Sequence, residues 1–389
     1  MSKNIQSSTP LAERVSLLSR ARRIVVKVGS AVLTDHTTLA ISAINNIVEE
    51  ISYLTNRSKQ VVLVSSGAVA AGRRKLPRLA SAELSLPEKQ AVAAIGQSYL
   101  MQSYEKAFAE KGKTIAQILL THSDLAKRDR YLNVRNTLFT LLQHNVIPIV
   151  NENDTVSVKE LRFGDNDMLA AYICNVIDAD LFICLTDVAG LFTENPRLHS
   201  DAKEILMVEK ISSDIEAMVD NTTSALGSGG MLSKIKAAHM VVSAGGCAII
   251  GGGRESGIIR RLFEGEPIGT FFLPDKDKRS SRKRWIDSIL KTQGTLILDE
   301  GACRALLDRG KSLLPSGVVG IEGHFVVGDA VRCVSAADQL IAIGLINYDA
   351  HDTSRIMGRR SDEIAPILGY KDSDELIHRD NMVIKQERV

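Results

Sequence analysis

Residues 146–185 read VIPIVNENDTVSVKELRFGDNDMLAAYICNVIDADLFICL. The apolar run 146–150 predicts a strand, 166–177 carries helical spacing, and 181–185 is a second apolar run of strand length. Strands apolar on both faces belong to parallel sheets covered by helices. Between them lie two acid–amide clusters, Asn151-Glu152-Asn153-Asp154 and Gly164-Asp165-Asn166-Asp167. Asp165 or Asn166 caps the helix that follows. Capping accounts for one residue and leaves the other amides and carboxylates unexplained. Together they suit an ammonium group, or Mg²⁺ through its waters.

The same alternation extends in both directions. Strands are expected at 24–28, 61–65, 114–120 and 247–250, and helices at 39–54, 87–109, 131–143, 230–243 and 257–263. The fold class is therefore α/β, an open, mainly parallel sheet sandwiched by helices. A helix after Thr9-Pro10, with Leu11, Val15 and Leu18 on one face, precedes it. Near residue 274 the character changes. The run PDKDKRSSRKR, 274–284, is polar and aperiodic and reads as a linker. Beyond it, short strands at 295–298, 318–321, 330–334 and 341–345 predict a small, mostly β, barrel-like domain. Its single helix, 302–308, stops at Gly310. The expected organisation is an extension 1–20, an α/β domain 21–273, a linker 274–293, the small domain 294–375 and a tail 376–389.

Composition narrows the function classes. The 389 residues are 44% hydrophobic and 24% charged, with 48 basic against 46 acidic side chains. That composition is globular, and a net charge of +2 sets up no global attraction to nucleic acid or membranes. No apolar run approaches the ~18–20 residues that cross a bilayer. Cys174, Cys184, Cys247, Cys303 and Cys333 form no CxxC pair and read as reduced core thiols of a cytoplasmic protein. No GxGxxG, GxSxG or HExxH motif is present, so dinucleotide, hydrolase-triad and zinc chemistry lack support.

Ligands of an open parallel sheet bind outside the carboxyl ends of its strands. Polar clusters stand there repeatedly. Lys27-Val28-Gly29-Ser30 ends the first strand; a lysine in an apolar strand snorkels, pairs with an acid, or meets an anion. Ser65-Ser66-Gly67-Ala68 ends the second and reads equally as a tight turn or as open backbone N–H groups for an anion. Leu185-Thr186-Asp187 ends another. Gly227-Ser228-Gly229-Gly230-Met231-Leu232-Ser233-Lys234 opens a helix with a lysine in its first turn, where a phosphate would offset the unfavourable dipole.

The strings VVKVGS, VSSGAVAAGR, VNENDTVS, FGDNDMLAA, LTDVAGLFTENPR and GSGGMLSK, in this order across about residues 24–265, resemble the amino-acid kinase family. They resemble most its branch that phosphorylates free glutamate on the side-chain carboxylate. DEGACRALLDRGKSLLPSGV, GHFVVGDAV and ILGY, across about 294–372, resemble a PUA domain. The resemblance implies that ATP phosphorylates L-glutamate to L-glutamyl 5-phosphate, at the start of proline biosynthesis. It implies that Lys27 and Lys234 contact the transferring phosphoryl group and that Asp167 organises the two lysines. Thr186, Asp187 and Ser228, Gly229, Gly230, Met231, Leu232, Ser233 and Lys234 would hold ATP, with Lys27. Ser66, Gly67, Asp154 and Asn166 would hold glutamate, and Mg²⁺ would ride mainly on ATP phosphates and water. Ser228 and Leu232-Ser233 depart from the residues more usual in the family. The implied partners are proline as feedback inhibitor, further copies in a tetramer, and a glutamyl-phosphate reductase. Kinases for N-acetylglutamate or aspartate are the competing readings within the fold. RNA binding through the PUA domain is the competing reading outside it, disfavoured by 4% aromatic content.

Overall fold

The computed structural model describes residues 9–35, 38–76, 84–121, 124–125, 128–156, 166–194, 199, 201–211, 215, 230–275 and 292–385. The chain divides into two compact units, Met1–Lys278 and Arg279–Val389. Most of the expected linker, 274–293, lies outside the described residues.

In chain order, the strands of the first unit are β1 (Arg23–Val28), β2 (Thr34–Asp35), β3 (Thr38–Leu39), β4 (Gln60–Ser65), β5 (Ile115–Leu120) and β6 (Ile147–Glu152). β7 (Leu181–Thr186), β8 (Leu191–Phe192), β9 (Glu204–Ile205), β10 (Met207–Val208), β11 (Cys247–Gly252) and β12 (Thr270–Phe272) follow. Eight of them form one sheet in the order β10-β12-β11-β7-β1-β4-β6-β5. β11, β7, β1, β4, β6 and β5 are mutually parallel. β12 departs from the expected strands: it pairs antiparallel with β11, and β10 runs parallel to it at the edge. Three apolar residues are too few to signal a strand by periodicity. The chain starts in the middle of the sheet and winds outward to both sides, so the order reverses at β1. That reversal leaves a crevice at the carboxyl ends of the central strands.

Successive side chains of each strand enter opposite cores. Val26, Leu63, Ile149, Ile183 and Ile249 enter a core shared with the helices Ile41–Thr55, Leu86–Ala109 and Ile258–Phe263. Val25, Val62, Val64, Phe182 and Ile250 enter one shared with Arg128–Gln143, Asn166–Val176 and Met231–Ser243. Lys27 follows Val26 in β1, so it points to the second core, under the start of those last two helices.

Two glycines set the approach of a helix pair. A Cβ on Gly72 would fall 1.9 Å from the Val92 carbonyl oxygen, and one on Gly96 would fall 1.8 Å from that of Ala68. Helix Ala68–Lys75 and helix Leu86–Ala109 therefore cross at a separation no larger residue permits. The Ala/Gly-rich sequence after β4 is explained by this crossing as well as by its turn, where Gly67 has φ +105°.

The N-terminal helix is present, Thr9–Arg20, but its buried face is not the expected one. Leu18 is buried while Leu11 and Val15 are exposed, and Arg14 takes the inner position at 2% exposure. Its guanidinium lies over the Phe271 ring and donates to the Ile268 carbonyl oxygen at 2.5 Å.

In the second unit, β13 (Gly294–Leu298), β14 (Val318–Gly323), β15 (Ala330–Ser335), β16 (Leu340–Leu345) and β17 (Met382–Ile384) pair in the order β14-β13-β15-β16-β17. Among the described residues this is a five-stranded ladder with β14 and β17 at its ends, the small, mostly β domain that was expected. Helix Glu300–Arg309 is capped by the Asp299 carboxylate and ends at Gly310 in the left-handed region. The single helix expected here is joined by Ala350–Ile356 and Ile364–Leu368. Residues of the expected tail belong to the core: Leu376 and Ile377 are buried, and β17 pairs with β16. No helix among the described residues is long and apolar enough to cross a membrane. All five cysteines are buried free thiols.

Candidate active site

One helix start organises the crevice. Asn166 and Asp167 are the first two residues of helix Asn166–Val176, and they reach into different groups of side chains. Asp167 is fully buried. Its Oδ1 pairs with the Lys27 ammonium. Its Oδ2 accepts from Lys234 Nζ at 3.0 Å and from the Ser233 hydroxyl at 2.8 Å. The Cys184 thiol, from the strand beside Lys27, lies 3.5 Å from Oδ1 and donates to it. Lys27 and Lys234 are themselves only 4% and 6% exposed, so two cations share one carboxylate out of bulk water.

Burial alone would push the Asp167 carboxyl up. The charges of Lys27 and Lys234 and their hydrogen bonds outweigh it and hold the group below the ordinary carboxylate range. The helix N-terminus acts in the same direction. The Cys184 thiol is pushed up to about 12 by burial and by the Asp167 charge, so it stays protonated and can donate.

Asn166 faces the ends of β4 and β6. Its Nδ2 donates to Ser66 Oγ and to Asn151 Oδ1, both at 2.9 Å. Asn151 Oδ1 also accepts from the Glu152 backbone N–H at 2.9 Å, and Asn151 Nδ2 donates to Gln97 Oε1 at 2.9 Å. Gln97 and Asn151 are buried. Asp154 follows in the turn after β6. Gly67 caps helix Ala68–Lys75 and its backbone sits beside Ser66.

Thr186 ends β7 beside Gly252 of β11, and its hydroxyl donates to Asp187 Oδ1 at 3.1 Å. The Gly253 N–H closes on the Thr186 carbonyl oxygen at 2.7 Å. Gly230 precedes helix Met231–Ser243 in extended conformation. Met231 and Leu232 pack against the second core, so what they offer outward is backbone. Ser228 and Gly229, with Asp165 of the second acid–amide cluster, lie outside the described residues.

The structure thus brings Lys27, Lys234 and Asp167 into one cluster and Ser66 and Asn166 into another. Asn151, expected only as part of an acid–amide cluster, joins them, as do Gln97 and Cys184, of which no site role was expected. Asn151 carried a signal, as the first polar residue after an apolar strand. Gln97 and Cys184 carried none.

The amino acid kinase family model matches residues 22–250. The chain belongs to the amino acid kinase family. A PUA domain model matches residues 294–368 of this amino acid kinase. It is 55% identical to a glutamate 5-kinase of Desulfotalea psychrophila, over 95% of this chain and 99% of that protein. It is 46% identical to a glutamate 5-kinase of Syntrophus aciditrophicus, over 96% and 97%, and 47% identical to one of Syntrophotalea carbinolica, over 96% and 100%.

Proposed function

We propose that this kinase transfers the γ-phosphoryl group of ATP to the side-chain carboxylate of L-glutamate, giving ADP and the acyl phosphate L-glutamyl 5-phosphate. The observation that carries the reading is the pair of buried lysines held on one carboxylate. A glutamate side chain, with an ordinary pKa of about 4.3, is already ionised at neutral pH and needs no base to attack phosphorus. The obstacle is bringing one anion onto another. Lys27 at the end of β1 and Lys234 at the start of its helix stand ready to neutralise the oxygens of the transferring group, and such preorganised charge is the main source of catalysis in phosphoryl transfer. Asp167 touches neither reactant; it holds the two lysines in place.

Thr186, Asp187 and the backbone from Ser228 to Lys234 hold the nucleotide in this reading. Ser66, Gly67, Asp154 and Asn166 hold glutamate. Both oxygens of Asp167 are taken by donors, which leaves it a poor metal ligand. The donor set therefore fits Mg²⁺ carried on ATP phosphates and water, where it supplies further charge neutralisation. The reaction opens proline biosynthesis in the cytoplasm. Its product hydrolyses readily, so a reductase must take it up promptly. Proline as end product is the expected inhibitor, and a homo-oligomer, a tetramer in this reading, is the working form.

Hydroxylamine traps acyl phosphates. With ATP and Mg²⁺ the purified chain should form a hydroxamate from L-glutamate, and much less from aspartate or N-acetylglutamate. Equal turnover of N-acetylglutamate would contradict the reading, because the free ammonium group would then not be recognised.

A further inference from the structure

Gln97 sits in the middle of helix Leu86–Ala109, one residue after the glycine that meets helix Ala68–Lys75. It is about nine-tenths buried, and its Nε2 has no hydrogen-bond partner among the described residues. A desolvated, unpaired amide N–H is costly in a core. Among the described residues its side chain makes one hydrogen bond, which Oε1 accepts from Asn151 Nδ2.

That bond has a directional consequence. A backbone N–H is an unambiguous donor, so the Glu152 N–H fixes Asn151 Oδ1 as the acceptor on its side. Asn151 Nδ2 must then face Gln97, where an acceptor is required and Oε1 supplies it. Asn151 Oδ1 also receives Asn166 Nδ2, whose second hydrogen goes to Ser66 Oγ. Both hydrogens of the Asn166 amide are thereby committed inward. Its Oδ1 accepts nothing among the described residues.

We propose that Gln97 is a positioning residue: by accepting from Asn151 Nδ2 it joins the Glu152 N–H in holding the Asn151 amide, and through it the Asn166 amide, so that Asn166 Oδ1 is presented as an acceptor to the ammonium group of the amino-acid substrate. This rests on the glutamate reading above. An amide turned the other way would present N–H donors to a cation. The relay removes that choice through neutral groups alone. It also gives the acid–amide strings a division of labour, with carboxylate for charge and amides for polarity.

The test uses the full chain and the hydroxamate assay. Gln97→Met keeps the volume and removes the acceptor; Gln97→Leu serves if the methionine chain does not fold. Gln97→Glu keeps an acceptor toward Asn151 and replaces the nitrogen that has no partner by a carboxyl oxygen, in a group that burial favours as the neutral acid. We expect Gln97→Met to raise KM for glutamate about tenfold, with kcat and KM for ATP near wild type. Gln97→Glu should restore KM. Glutarate, the same diacid without the ammonium group, should inhibit wild type and Gln97→Met equally well. In an Asn166→Ala background, Gln97→Met should add no further rise. Equal damage by Met and Glu, or equal weakening of glutarate, would assign Gln97 a packing role and overturn the relay. So would an unmoved KM in Gln97→Met. A wild-type chain inert towards glutamate would overturn the functional reading and the relay together, whereas an active wild type with an unmoved Gln97→Met KM overturns the relay alone.

Discussion

Asn166 and Asp167 are neighbours in sequence, yet they serve opposite electrostatic environments. Asp167 lies in a charged cluster in which its two oxygens receive two lysines, a serine hydroxyl and a thiol. Asn166 lies in a neutral network of amides and a hydroxyl. Successive helical residues differ by about 100° around the axis, so one helix start addresses both. The difference is chemical. Charge is concentrated where, in the proposed reaction, charge redistributes between reactants. Neutral donors and acceptors suffice where a substrate need only be oriented. A second carboxylate in place of Asn166 would compete with Asp167 for the lysines.

The largest expected effect breaks the charged side. Lys27→Ala should lower kcat by roughly 10²-fold or more while KM for glutamate stays near wild type, by analogy with loss of one preorganised donor. Stopped or quenched single-turnover assays separate this from slow product release. A kcat within a few fold of wild type would make Lys27 a structural residue.

Asp167→Asn sharpens the comparison by making both positions amides. It leaves two buried lysines without their carboxylate and should cost about 3 kcal/mol or more of stability. The cost should depend on pH in a defined way. The native carboxyl is held below its ordinary value, so its stabilisation is fully present above the unfolded pKa of about 3.9 and disappears as pH falls through the lowered native value. Denaturant melts of wild type and Asp167→Asn should differ by a constant amount from neutral pH down to about 4 and converge only on further acidification. Convergence already near pH 6 would mean that Asp167 is not ionised by the lysines.

The smallest effect concerns the second unit. None of the side chains in either cluster lies beyond Lys278, and the first unit has its own two cores. A chain ending at Lys278 should fold and form hydroxamate at a rate of the same order, with the proposed inhibition by proline as the property most open to change. A folded but inactive truncation would place part of the reaction's machinery in the second unit.

The two clusters were unequally legible in the sequence. Lys27 stood out because an apolar strand rarely carries a lysine, and the strand alternation located the carboxyl ends. The pairing of Lys27 and Lys234 through Asp167 came from family resemblance, since no periodicity relates residues 27, 167 and 234. Gln97 was invisible: a polar residue in a long helix is ordinary, and only a three-dimensional partner gives it meaning. Arg14 misled for the converse reason. Apolar spacing pointed to Leu11 and Val15, but the aromatic face of Phe271 and the Ile268 carbonyl oxygen make a place for a guanidinium that pattern reading cannot foresee. β12 and β17, at three residues each, fall below what periodicity detects.

The division between neighbouring residues is tested most directly by steady-state kinetics of Asn166→Ala and Lys234→Ala measured side by side with L-glutamate and ATP. The account predicts that Asn166→Ala raises KM for glutamate about tenfold or more with kcat little changed, and that Lys234→Ala lowers kcat about a hundredfold with KM for glutamate little changed. Two variants that move the same parameter to the same extent would contradict it.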